Sequence, residues 1–253
     1  MSRIVATIGA AFGYFSILPV GRFAAGPAPD ATTLVALPLV GAVVGALAGL
    51  LGYGVSFVLP NALAAALALG AVIVLTGAIH VDGFLDGCDA FIATVSPERR
   101  LEILKDPRHG TFAVAGMFVA GTVWYASLAA IAPARYPAIL AFAGALARAA
   151  AVPNAFVFPY ARGGAVALAF VSRPAIVPLA TVIIALVVAA FAIGPLDVAI
   201  VPVAIALSLA LGRSIARRLG GGLVGDAYGF IIVVVEIVVL AVVAGQARGA
   251  NNE

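Results

Sequence analysis

Long apolar runs leave this chain few ways to fold. Leu34–Leu59, Ala62–Ile79, Phe112–Ala132, Ala138–Phe158, Ala175–Ile193, Leu196–Leu211 and Tyr228–Ala244 consist almost wholly of aliphatic and small residues. As a helix, about 20 such residues cross the hydrocarbon core of a bilayer, whereas a barrel strand needs only about 10, in strict alternation. That alternation is missing. Lipid offers no partner to backbone N–H and C=O groups, so the helix, which satisfies its own, is the form these runs must take. Composition agrees: 64% of residues are hydrophobic and 10% charged, against about 25% charged in a soluble domain. The expected fold class is all-α, a polytopic membrane helical bundle of about seven spans. It is expected to form a single domain over residues 1–253. A shorter run, Ile4–Leu18, leads into Pro19-Val-Gly-Arg22 rather than a small-residue cleavage site. It reads as a marginal span or a segment dipping into the membrane, not as a signal peptide.

Small residues recur every fourth position in Gly41-Ala-Val-Val-Gly45 and Gly45-Ala-Leu-Ala-Gly49, which predicts close helix packing. Basic residues sort the connections. Arg99, Arg100, Lys105 and Arg108 lie in 80–110, Arg162 and Arg173 follow Phe158, and Arg213, Arg217 and Arg218 follow Leu211. The connections near Pro60 and Gly194 hold no Lys or Arg, and the one near Pro133 holds only Arg135. With seven spans, the three basic segments fall on one side, which the positive-inside rule makes cytoplasmic. The expected topology is therefore multi-pass with 80–110 facing the cytoplasm, and in a bacterium that places the chain in the inner (plasma) membrane. The net charge of +3 reads as orientation, and no nucleic-acid partner is expected. Cys88, the single cysteine, excludes an internal disulfide.

Chemistry concentrates in His80-Val-Asp-Gly-Phe-Leu-Asp-Gly-Cys-Asp89. On a helix, Asp82, Asp86 and Asp89 share one face within about 60°. Like charges so placed repel and call for a cation. A hard divalent ion such as Mg2+, often brought with a phosphate, is the usual one. A merely solvated loop accounts well for Glu98, Arg99, Arg100 and Glu102, where Pro97 reads as the start of an exposed helix. It accounts poorly for acids interleaved with Gly83, Phe84, Leu85 and Gly87 that continue an apolar span. The two glycines weaken a helix yet let a bulky ligand approach its backbone.

Other segments can supply the remaining parts of a site. Lys105-Asp106-Pro107-Arg108-His109-Gly110 reads as a turn, and Lys105 and Arg108 suit phosphate oxygens. The bland alternative is a helix C-terminus carrying ordinary basic residues. Gly220–Gly229 is a glycine-rich loop at a helix start, able to present N–H groups to an anion. Asp226 beside Gly225 offers a second metal-binding arm. Glu236 sits in the otherwise apolar Ile231–Leu240 and needs a cation, a hydrogen bond or its proton. On a continuous helix it lies roughly 15 Å from Asp226, too far for one shared ion. Arg148, mid-span, can face the acidic site, a substrate phosphate or Glu236. Asn154 and Tyr160 are candidates to line a cavity. Taken alone, these residues describe a membrane enzyme that uses Mg2+ on a phosphorylated substrate, with a carboxylate or His80 as general base.

The same segments resemble the cobalamin synthase family, the adenosylcobinamide-GDP ribazoletransferases. His80 to Ala90 follows the pattern H-x-D-G-x-x-D-x-x-D-[GA], and Arg99-Arg-Leu-Glu-Ile-Leu-Lys-Asp-Pro-Arg-His-Gly-Thr-Phe112 follows R-x-x-E-I-[ML]-K-D-x-R-x-G-[TV]-F, with Ala113 where glycine is common. Gly221-Gly-Leu-Val-Gly-Asp-Ala-Tyr-Gly229, then Glu236, is similar to the third signature, with Val224 at a usual hydroxyl position. Phe15-Ser-Ile-Leu-Pro-Val and Pro38-Leu-Val-Gly41 also look like the family. The resemblance implies a Mg2+-dependent transferase that joins adenosylcobinamide-GDP to α-ribazole or its 5′-phosphate and expels GMP. It implies Mg2+ on Asp82, Asp86, Asp89 and Asp226, and substrate contacts from Lys105, Asp106, Arg108, Arg148, Gly225, Asp226 and Glu236. The catalytic set would be His80, Asp82, Asp86 and Asp89. Partners admitted by this reading, beyond substrates and lipid, are a second copy of the chain or other corrinoid-pathway enzymes.

Two other readings fit less well. A CDP-alcohol phosphotransferase also uses spaced aspartates, but its Ala-Arg pair is missing from Phe84-Leu-Asp-Gly. A cation-coupled transporter would use the intramembrane charges as an ion path but leaves Lys105–Gly110 unexplained.

Overall fold

The computed structural model describes residues 3–20, 33–161, 180–181, 183–184 and 199–249. Its helices are α1 (Arg3–Phe15), α2 (Leu37–Val55, led by a 3-10 turn at Thr33–Ala36), α3 (Asn61–Leu75), α4 (Ile79–Ile92) and α5 (Pro97–Ile103). They continue with α6 (Thr111–Ala129), α7 (Tyr136–Ala151, led by Pro133–Arg135), α8 (Asn154–Val157), α9 (Ile200–Arg218) and α10 (Gly225–Gly249). Among the described residues there is no strand, only an isolated parallel bridge between Tyr160 and Leu223. Among the described residues, five helical segments are long and apolar enough to cross a membrane, six if α3 and α4 count as one bent span. The all-α membrane class holds. The expected span at Ala175–Ile193 lies outside the described residues except for 180–181 and 183–184, and Arg162 and Arg173 lie outside them altogether.

One expected boundary changes the picture of the site. The run Ala62–Ile79 ends at Leu75, and α4 turns away from α3 by 91°. Thr76 Oγ1 bonds back to the Val72 and Ile73 carbonyls, and the Ala78 N–H reaches the Ile73 carbonyl. That second bond closes α3 in the manner of a Schellman motif. Gly77 and Ala78 both take positive φ, 61° and 58°. The acidic segment is thus its own helix rather than a continuation of the span. Its 14 residues measure about 21 Å, and by itself it is not one of the five spanning helices. α9, expected to end at Leu211, runs on to Arg218 because Ile215 and Ala216 bury against the bundle. α1, with 13 residues, is about 20 Å long. It packs Ala11 and Phe12 on Val40 and Val44 of α2.

The glycine stripe of α2 does what its spacing predicts. A Cβ on Gly41 would sit 2.2 Å from the Gly144 carbonyl oxygen, and one on Gly45 would sit 2.1 Å from that of Leu140. The backbones of α2 and α7 therefore touch, antiparallel, with Gly49 against Tyr136 and Pro137. α10 runs up the middle, in contact with α4, α6, α7 and α9. This path collects one end of every long helix in one place. The α1 terminus is tied there by the Ile17 N–H to the Leu75 carbonyl, and α9 by Arg218 to the Phe91 carbonyl. The start of α10 meets α4 at the same end. The described basic residues of 80–110 and 213–218 lie at this end too.

Candidate active site

Helix α4 carries Asp82, Asp86 and Asp89 along one side, as the i, i+4, i+7 spacing requires. The crossing of α4 with α10 supplies a fourth acid. A Cβ on Gly83 would lie 3.0 Å from the Asp226 carbonyl oxygen, and one on Gly229 would lie 3.1 Å from that of His80. Such close approach sets Asp226 beside Asp86. It also corrects the reading of Gly83 and Gly87 as clearance for a ligand: α10 fills that space, with Phe230 2.6 Å from where a Gly87 Cβ would stand. The acids feel one another. Burial first, then the charges of Asp82, Asp226 and Asp89, push the Asp86 carboxyl up to about 6, against a smaller opposing pull from His109.

The turn at 105–110 is fastened onto this face. Asp89 accepts the Gly110 N–H at 2.6 Å on one oxygen and the Ala113 N–H at 3.0 Å on the other. It therefore caps α6 from another helix, satisfying N–H groups that α6 cannot satisfy itself. His109 Nδ1 stands 3.4 Å from Asp86 Oδ1. Arg108 grips Asp106 with Nε and Nη2, both at 2.9 Å. Those hydrogen bonds hold the exposed Asp106 carboxyl at about 2. Lys105 is exposed. The far end of α4 is held by two arginines: Arg100, expected as solvated charge, and Arg218, expected only as an orienting charge. Arg100 is buried and donates to the Ala90 carbonyl, and Arg218 donates to the Phe91 carbonyl at 2.8 Å. Both place positive charge where the helix dipole is negative. Only Arg99 of that stretch is a simple surface pair, 2.6 Å from Glu102.

Behind the acids lies a cavity of about 230 Å³ whose lining includes Asp82, Asp226 and His80. Its other walls are mainly apolar and aromatic, among them Phe15, Tyr160 and Tyr228. Tyr160 thus takes the role expected of it, whereas Asn154 turns away and donates to Ser208 Oγ at 2.8 Å. The sequence holds Phe15 and Tyr228 within family-like motifs without marking either as a cavity residue. Nothing local marks a ring as wall rather than core. Asp82 also borders a more open hollow of about 400 Å³ between Ser16 and Thr76–Ile79. Arg148 and Glu236 do not line the cavity beside the acids. Of the placements open to Arg148, the structure has the pairing with Glu236, at 3.3 Å, with side chains 2% and 4% exposed. Arg148 also donates to the Gly144 carbonyl at 2.9 Å. α10 is continuous from Gly225 through Glu236, so Glu236 stays remote from Asp226.

The donor set suits a hard divalent ion. As the side chains stand, no three described His, Cys, Asp or Glu residues close around one point. Mg2+ does not need that: it takes one or two carboxylates and completes its shell with water and substrate phosphate. Asp82, Asp86 and Asp226 offer only hard oxygens, and their mutual repulsion is what such an ion relieves.

Comparison with known proteins agrees with this geometry. The family model described as Cobalamin-5-phosphate synthase matches residues 7–244. Among similar curated proteins, one from Deinococcus radiodurans is 37% identical over 80% of this chain and 72% of its own. Another, from Stutzerimonas stutzeri, is 35% identical over 93% and 96%, and one from Azorhizobium caulinodans is 34% identical over 98% of each. All three carry the name adenosylcobinamide-GDP ribazoletransferase. No solved structure matches. With an acidic helix, a docked cationic turn and a family match that spans all of them, the chain belongs to the cobalamin-5-phosphate synthase family.

Proposed function

We propose that this protein is a membrane transferase that joins adenosylcobinamide-GDP to α-ribazole, or its 5′-phosphate, with release of GMP. The observation that carries the reading is the meeting of three elements at one end of the bundle: the α4 acids, Asp226 of α10 and the Lys105–Gly110 turn. The site end then faces the cytoplasm of a bacterial inner membrane, where nucleotides are found, in keeping with its basic residues.

In the reaction, a ribose hydroxyl oxygen forms a bond to the cobinamide-side phosphorus. The phosphoanhydride bond to the GMP oxygen breaks, and GMP carries away that electron pair. The hydroxyl proton passes to a carboxylate of the cluster. Asp82, Asp86 and Asp226 would hold Mg2+, which when bound supplies charge neutralisation for the diphosphate. Lys105 and Arg108 face phosphate oxygens from the turn, with Arg108 oriented by Asp106. Asp89 positions that turn through its α6 cap. Arg148 and Glu236 lock α7 to α10 behind the site.

The test is direct. Purified protein given adenosylcobinamide-GDP, α-ribazole and Mg2+ releases GMP, and an Asp82→Ala variant loses most of that turnover. Absence of GMP together with substrate uptake in proteoliposomes would replace the enzyme with a transporter.

A further inference from the structure

We propose that the cavity behind the acids seats the flat base of the ribazole partner and that His80 recognises the base's free ring nitrogen. The inference rests on the transfer reading above and adds which substrate lies where.

Size comes first. A cavity of about 230 Å³ has room for a bicyclic heteroaromatic ring, whereas a corrin macrocycle is several times too large. The substrates of the proposed reaction carry three bicyclic bases: adenine, guanine and the dimethylbenzimidazole of α-ribazole. Adenine is tethered to the corrin through its bond to cobalt, and the walls choose between the other two. Leu37, Val152 and Phe15 offer no polar atom. The polar side chains among the described lining residues are His80, the tyrosines Tyr14, Tyr160 and Tyr228, and Asp82 and Asp226. The two carboxylates are assigned to the ion, so guanine's acceptors would find only His80 and three hydroxyls. Guanine carries donors and acceptors along its edges, and each left unpaired on burial costs about 1–3 kcal/mol. A benzimidazole base has two ring nitrogens. One carries the sugar and the other is a single bare acceptor.

His80 answers that acceptor. Its ring is buried, 6% exposed, and lies nearly parallel to Phe15 with centroids 6.2 Å apart. Among the described residues its Nε2 has no hydrogen-bond partner, although buried polar atoms in native proteins nearly always have one. As Nε2–H it donates one hydrogen bond, which is what the free ring nitrogen accepts. The cavity wall also includes Asp82 and Asp226, so a nucleoside with its base inside brings its ribose to the carboxylates. The cavity thereby positions the nucleophile, and the corrinoid diphosphate comes to the acids from outside it.

Calorimetry on the full-length protein in detergent, with chelator and without corrinoid, tests this independently of turnover. α-Ribazole binds, free dimethylbenzimidazole competes with it, and GMP does not. His80→Phe keeps a ring of similar reach without the donor. It weakens α-ribazole binding about tenfold and raises KM for α-ribazole while leaving KM for adenosylcobinamide-GDP unchanged. His80→Gln, which restores an N–H donor, recovers part of the loss. Val152→Phe fills the cavity and abolishes α-ribazole binding. Competition by GMP but not by dimethylbenzimidazole would assign the cavity to guanine and overturn the proposal. So would normal turnover with α-ribazole affinity unchanged in both His80→Phe and Val152→Phe; the transfer reading would then survive without this subsite. A wild-type protein that releases no GMP removes both.

Discussion

Arg148 and Glu236 show how much a single pair of residues decides. Each is almost wholly buried, and each is the other's charged partner across α7 and α10. Removing one charge strands the other in an apolar interior, at a cost of about 3–5 kcal/mol. Arg148→Met should therefore lower the melting temperature sharply, and Arg148→Met with Glu236→Gln should recover much of the loss. Detergent-solubilised thermal melts check both. Asp86 behaves differently because its neighbours share its sign. Its folded carboxyl titrates at about 6, above the ordinary 3.8, so the folded state holds the proton more tightly than the unfolded chain does. Stability from this source is complete below about pH 4 and is lost as pH rises through about 6; the shift corresponds to about 3 kcal/mol, which solvent screening of this partly buried group reduces to about 1–2 kcal/mol. In chelator, the wild-type melting temperature should fall across that window and Asp86→Asn should flatten the fall. Mg2+ should restore stability only on the alkaline side. A Mg2+ effect undiminished below pH 5 would argue against carboxylate binding.

Among the elements, the decisive one is the turn between α5 and α6. Asp89 reaches 21 residues forward to the Gly110 N–H, so an α4 carboxylate fixes where the cationic turn sits. Asp89→Ala should cost about 1–2 kcal/mol as a lost cap. It should also raise KM for adenosylcobinamide-GDP more than that for α-ribazole, because the phosphate-facing turn loosens while the cavity does not. Equal effects on both would make Asp89 a direct ion ligand instead. The sequence shows α4, the turn and α10 as separate motifs. It does not show that Gly83 and Gly229 are a crossing point, since a glycine in a helix is equally consistent with room for a ligand. Only the approach of two backbones separates those cases. The break at Thr76–Ala78 was hidden for a similar reason. Apolar composition runs straight through it, while the turn is set by φ angles that Gly77 permits and Ala78 tolerates.

For the whole molecule, the claim is one of sidedness. The acidic site, Arg100 and Arg218 gather at one end, and the α2–α3 connection lies at the other. In a Cys88→Ser background, Glu98→Cys should react with an impermeant maleimide only from the cytoplasmic side. Phe57→Cys, exposed beyond the end of α2, should react only from the opposite side. Labelling of both from one side would break the topology.

The sequence alone determined that the chain lives in lipid, that α2 presents a glycine stripe to a neighbour, and that three aspartates share a helix face. Each follows from composition or from the period of a single helix, which neighbours do not change. Tertiary structure decided that Asp226 joins those acids, that Asp89 caps α6, that Arg148 meets Glu236, and that a cavity opens beside His80. Those outcomes depend on where helices cross. A crossing is set by the packing of two surfaces, so neither segment specifies it on its own.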